Sequence, residues 1–173
     1  MRNEQLADNT QRTKINRKAL TLLFVICYLF FGNCLAFSQT AERIERLLQQ
    51  DQVSYRDAAL LALEASGHLD SENQTSADEA FRFAMERGWL PRGAQADNAV
   101  KLNETALLLM SSFGLKGGLF YTLTKSAHHA YRELVYQGMI RDDTDPGMSV
   151  SGRQLLLIIS RILSVKENEE AQI

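Results

Sequence analysis

The chain has 173 residues, 45% of them apolar, and a formal charge of −2. That length suits one domain plus accessories, and the composition is that of an ordinary globular protein. Residues 1–18 hold five basic and two acidic side chains and residues 19–38 hold none, so residues 39–173 are net −5, which argues against nucleic acid as a partner because that needs a basic patch.

The N-terminus has the layout of an export signal. Its basic stretch precedes the apolar run from Leu20 to Phe31. Such a run is long enough for a signal core and short for a membrane span. Gly32-Asn33 breaks it, and Ala36-Phe37-Ser38 supplies small residues for cleavage before Gln39. Residues 1–38 are therefore read as a signal peptide. Two alternatives stand: a membrane anchor through residues 19–38, or lipidation at Cys34. Both cysteines, Cys27 and Cys34, lie in this segment, so cleavage would leave a domain without a thiol, held by its core alone.

Residues 39–53 are a polar lead-in, with a helix from Thr40 to Gln50 that places Ile44, Leu47 and Leu48 on one side. Ser54 and Asp57 open a second helix that stops at Gly67. Asp70 to Thr75 is a polar loop. Ser76 with Glu79 forms a capping box for a helix closed by Gly88. A loop from Pro91 to Val100 follows, and Asn103 is the expected cap of an apolar helix through Ala106 and Met110. Leu119 to Leu123 is β-prone and predicts a short extended connection. A further helix runs from near Lys125 to Gly138. An acidic loop then leads to Ser151 and Gln154, which cap a Leu-rich helix. The charged tail, 166–173, is expected to fray.

Two of these helices repeat one another. Ala77, Ala80, Phe81, Ala84, Met85 and Gly88 match Ala127, Ala130, Tyr131, Leu134, Val135 and Gly138 at an offset of 50. Each set lies on one helical face and ends in glycine followed by two apolar residues. The following halves match at an offset of 48, which aligns Leu102-Asn103 with Val150-Ser151 and makes the first loop two residues longer. Gly67-His68-Leu69 echoes Gly88-Trp89-Leu90 and marks half of a third copy.

Amphipathic helix, Gly-apolar-apolar, loop, capped helix: this unit resembles the S-layer homology (SLH) repeat of bacterial envelope proteins, over roughly residues 54–165. The resemblance implies an all-α fold of helix-loop-helix units packed as one small helical domain. It also implies binding of cell-wall polysaccharide through a Thr-Arg-Ala-Glu-like tetrad opening the second helix, with help from nearby loops. The tetrad of the second copy reads Ser151-Gly152-Arg153-Gln154, with arginine one place late, and the first reads Asn103-Glu104-Thr105-Ala106, without arginine.

The resulting candidate ligand residues are Arg153, Ser151 and Gln154, with Arg92 and Arg141 from the loops. Arginine beside a helix N-terminus suits an anionic polymer. Trp89, the single tryptophan, joins the candidates as an aromatic beside the loop: the favoured reading is a staple of the loop to the core, and the alternative is a platform for a sugar ring. His128 and His129 diverge by about 100° on a helix and do not suit a shared metal. Counted from Asp142, an EF-hand loop would need Glu where Arg153 stands. Gly114 to Gly118 lacks the order of a phosphate-binding loop. No metal or cofactor is expected, and no catalytic motif is present. The expectation is a non-catalytic exported module in the periplasm or envelope that binds a cell-wall polymer or an envelope protein. A membrane-tethered adaptor and a small wall hydrolase are the alternatives.

Overall fold

The computed structural model describes residues 42–69 and 75–171. The expected signal or anchor, the Gln39 cleavage site, Cys34 and most of the 70–75 loop lie outside the described residues. The chain divides into two compact units, Met1–Arg46 and Leu47–Ile173. In the first, residues 42–46 are helical, and Arg46 pairs with Glu42 at 3.1 Å. Of the lead-in side chains, Leu47 is buried, whereas Ile44 and Leu48 are exposed.

The second unit is all-α among its described residues. Its helices are α1 (Tyr55–Ala65), α2 (Ala77–Glu86), α3 (Leu102–Ser112), α4 (Leu119–Thr124), α5 (Ala127–Tyr136) and α6 (Gly152–Glu170). Serine caps open most of them. Ser54, Ser76, Ser126 and Ser151 each accept the backbone N–H three residues on. In α2 the box is reciprocal, because Glu79 Oε2 accepts the Ser76 N–H at 3.0 Å. These bonds satisfy donors that the helix itself leaves free.

Glycine ends the first helices as expected. Gly67, Gly88, Gly114 and Gly138 have φ of +74°, +70°, +62° and +73°. After Gly88, the Trp89 N–H reaches back to the Ala84 carbonyl at 2.9 Å, and after Gly138 the Met139 N–H reaches Leu134 at 2.8 Å. This double turn closes the helix end and needs a left-handed residue at its centre.

Three valines tie the unit together. The Val53 N–H donates to Val150 (2.8 Å), Val150 to Val100 (3.1 Å), and Val100 back to Val53 (2.9 Å). The ring of bonds is closed, and all three side chains are fully buried. Two residues beyond each valine a helix begins, at Tyr55, Leu102 and Gly152, and the N–H of each is again bonded to a neighbouring segment: Asn98, Met148 and Gln50. Three chain segments thus satisfy one another's backbone groups through isolated bridges, Ser54 with Ala99 and Lys101 with Ser149, without an extended sheet among the described residues. Each buried valine adds about 1.5–3 kcal/mol.

Around this ring α1 packs on α2 and α3, and α3 packs on α5. Alanines at the contacts, Ala58, Ala62, Ala80, Ala84, Ala106 and Ala130, are fully buried and let the helices approach. Leu63, Leu108, Leu109, Leu134, Leu155 and Ile162 fill the space between them.

Four expectations are corrected. Asn103 is not the cap of α3. The cap is Lys101, whose N–H donates to Glu104 Oε2 at 3.1 Å, because the valine ring commits the chain at Val100. Val100, not Leu102, therefore stands opposite Val150, and α3 and α6 begin 50 residues apart rather than 48. Leu119 to Leu123 is helical rather than extended. Thr122 and Thr124 turn their hydroxyls back to the Gly118 and Phe120 carbonyls (3.1 and 2.7 Å), so the helix satisfies locally what a strand would need a partner for. Finally, α6 continues through Glu170 instead of fraying after Lys166.

Candidate ligand-binding site

The first turns of α1, α3 and α6 follow the ring and carry the polar residues of interest. They read Ser54-Tyr55-Arg56-Asp57, Lys101-Leu102-Asn103-Glu104 and Ser151-Gly152-Arg153-Gln154. The first-copy tetrad expected at Asn103-Glu104-Thr105-Ala106 is thus displaced by two residues, and Thr105 and Ala106 are buried.

Arg153 is exposed on the first turn of α6 and has no ionic partner among the described residues. Ser151 and Gln154 are half-buried, and the Ser151 hydroxyl is engaged as a cap for the Gln154 N–H at 3.3 Å. The Gly152 N–H is also taken, by the Gln50 carbonyl at 3.0 Å. An anion at this turn would depend on the Arg153 guanidinium.

At Gly152, where the expected tetrad would place an arginine, no side chain fits. A Cβ on Gly152 would fall 1.7 Å from the Leu47 carbonyl oxygen. The backbone itself therefore excludes an arginine at this position of the turn.

The loop arginines are both exposed. Arg141 is paired with Asp143 at 3.0 Å, while Arg92 has no ionic partner among the described residues. The acidic loop is folded on itself: Asp145 Oδ1 accepts the Gly147 N–H at 2.8 Å, and Thr144 Oγ1 donates to the Arg141 carbonyl at 2.8 Å. No group of His, Cys, Asp or Glu side chains among the described residues is arranged to hold a metal ion.

Trp89 is half-buried. It meets His68 and Phe83 edge to face, with ring centres 5.4 and 5.8 Å away. Arg87 lies over both Phe83 and Trp89, at 4.4 and 5.5 Å from their centres. Such contacts are worth about 0.5–1.5 kcal/mol each. Trp89 therefore does hold its loop against the protein, and its exposed part is still free.

Sequence reasoning passed over Arg56, which holds the same place in its turn as Arg153. It is clamped by Asp78 at 3.3 Å and by Asp97. It also passed over Tyr55, whose hydroxyl donates to Glu104 Oε2 at 2.5 Å. Burial, then the hydrogen bond to Glu104 and its charge, push the Tyr55 pKa well above the ordinary tyrosine value. Tyr131 is raised as well, by burial and by Asp142, Asp145 and Asp143. The Ser-x-Arg pattern shared by Ser54–Arg56 and Ser151–Arg153 was the available signal.

Comparison with known protein families, characterised proteins and solved structures finds no match to this chain.

Proposed function

We propose that this chain is a non-catalytic, exported binding module of the SLH type, built from three rather than two related segments. The observation that carries the reading is the closed bond ring of Val53, Val100 and Val150, each followed by a capped helix whose first turn reaches a neighbouring segment. Segments that repeat one another's bonds around a common centre are what a repeat protein needs in order to bury its units. The ligand in this reading is a cell-wall polymer bearing negative charge, met by Arg153 and by the loop arginine Arg92. Arg56 is less available, since two aspartates neutralise it.

Export rests on the sequence of residues 1–38, and the basic flank places that end in the cytoplasm if the segment is retained as an anchor. Among the described residues, no helix is long and apolar enough to cross a membrane. Mass spectrometry of the native protein distinguishes cleavage before Gln39 from an intact or lipidated N-terminus.

The deciding experiment is co-sedimentation of the full chain with purified peptidoglycan sacculi, with and without attached secondary polymers. Binding that needs the secondary polymer and falls with added salt supports the reading. Absence of sedimentation with either preparation transfers the proposal to an envelope protein as partner.

A further inference from the structure

A cavity of about 330 Å³ opens where α2 and α3 end and where the chain leaves α4. Leu107, Met110 and Leu115 supply its apolar surface, Trp89 an aromatic wall, and Arg87 and Lys125 its charge. No carboxylate lines it among the described residues. Leu107 and Met110 are buried, so the apolar floor is part of the core and is formed in advance.

The two cations are not consumed by the fold. Neither has a carboxylate partner among the described residues. Both are held by aromatic faces instead, Arg87 over Phe83 and Lys125 at 5.0 Å over the Tyr121 ring. Cations beside helix C-termini often serve the free carbonyls there. Here the Gly88 and Trp89 N–H groups already serve α2, and the Gly114 and Leu115 N–H groups serve α3. Lys125 is, moreover, the one non-glycine residue among the described residues with a positive φ, +47°. Lys125 caps the end of α4 in that conformation, which is strained for a residue with a side chain, and such outliers gather at binding sites.

We propose that this cavity binds a small organic carboxylate carrying a flat ring. The carboxylate meets Arg87 and Lys125, and the ring lies against Trp89 above Leu107 and Met110. A bare inorganic anion would leave the apolar floor uncovered, and a neutral ring would leave two cations unanswered. The volume suits one such molecule. The site is separate from the Arg153 turn and does not depend on the envelope reading.

Trp89 is the only tryptophan in the chain, so indole fluorescence comes from the wall of this cavity. The full chain, in a nonionic detergent, is titrated with phenylacetate and with its neutral counterpart phenylacetamide. Phenylacetate should shift the emission saturably, and the amide should bind about tenfold more weakly. Arg87→Gln and Lys125→Gln should each raise the phenylacetate Kd by about fivefold or more with unchanged circular dichroism, while Arg82→Gln, an exposed arginine of α2 outside the lining, should leave it unchanged. Equal binding of acid and amide overturns the proposal, as does an unaltered Kd in both cavity variants or the lack of saturation below about 10 mM.

Discussion

The Tyr55 hydroxyl and the Glu104 carboxylate meet at 2.5 Å, joining the first turn of α1 to the first turn of α3 across 49 residues of sequence. Glu104 also accepts the Lys101 N–H, so a single carboxylate fixes the start of one helix and the side chain of another. Removing the donor leaves a half-buried charge with one partner fewer. Tyr55→Phe should therefore lower stability by about 1.5–3 kcal/mol in denaturant titrations at pH 7.

The same pair predicts a pH dependence. The folded-state pKa of Tyr55 lies above the unfolded value of about 10, so folding favours the protonated hydroxyl. Its contribution is fully present below pH 10 and is lost as pH rises beyond it. Tyr131 acts with the same sign. Thermal melts should show stability falling above pH 10, with a shallower fall in Tyr55→Phe; parallel curves for the two proteins would disprove the linkage.

Gly152 and Gly93 offer a paired test of space. A methyl on Gly152 would strike the Leu47 carbonyl, whereas Gly93 has nothing within 4 Å and no positive φ. Gly152→Ala should cost about 3 kcal/mol, since backbone rather than a flexible side chain must move. Gly93→Ala should stay within about 0.5 kcal/mol of the parent.

Gly88 and Gly138 are glycines for a different reason. Both have open space around the missing Cβ but φ near +70°, as the repeat implies. Replacing either by Val should lower stability by roughly 1–2 kcal/mol or more, a fall in Tm of about 2–4 °C for each kcal/mol. An unchanged Tm in both variants would mean that the helix ends relax freely.

Arg153→Ala should weaken sedimentation with polymer-bearing sacculi by about 1–3 kcal/mol, as for loss of a charge-assisted contact. Helix content should not change, because the side chain is exposed and unpaired among the described residues. Wild-type retention in the variant would remove Arg153 from the site.

The helices were legible in the sequence because their ends are written in local chemistry. Ser54, Ser76 and Ser151 cap by short side-chain bonds, and Gly88 and Gly138 stop helices by tolerating φ > 0, both properties of single residues and their near neighbours. The amphipathic faces of α2 and α5 follow from spacing alone, and Ala80, Ala84, Ala130 and Leu134 are indeed fully buried. What local chemistry misjudged was register. Asn103 is the better cap by residue type, yet Lys101 holds the position, because the valine ring ties Val100 to Val53 and Val150. Those bonds join residues 47 to 97 positions apart, and no short window contains them. The cavity beside Trp89 has the same origin: Arg87, Met110 and Lys125 are distant in sequence and converge only once three helix ends have packed. Local propensity therefore set where helices form, and long-range backbone pairing set which residues begin them and which side chains they bring together.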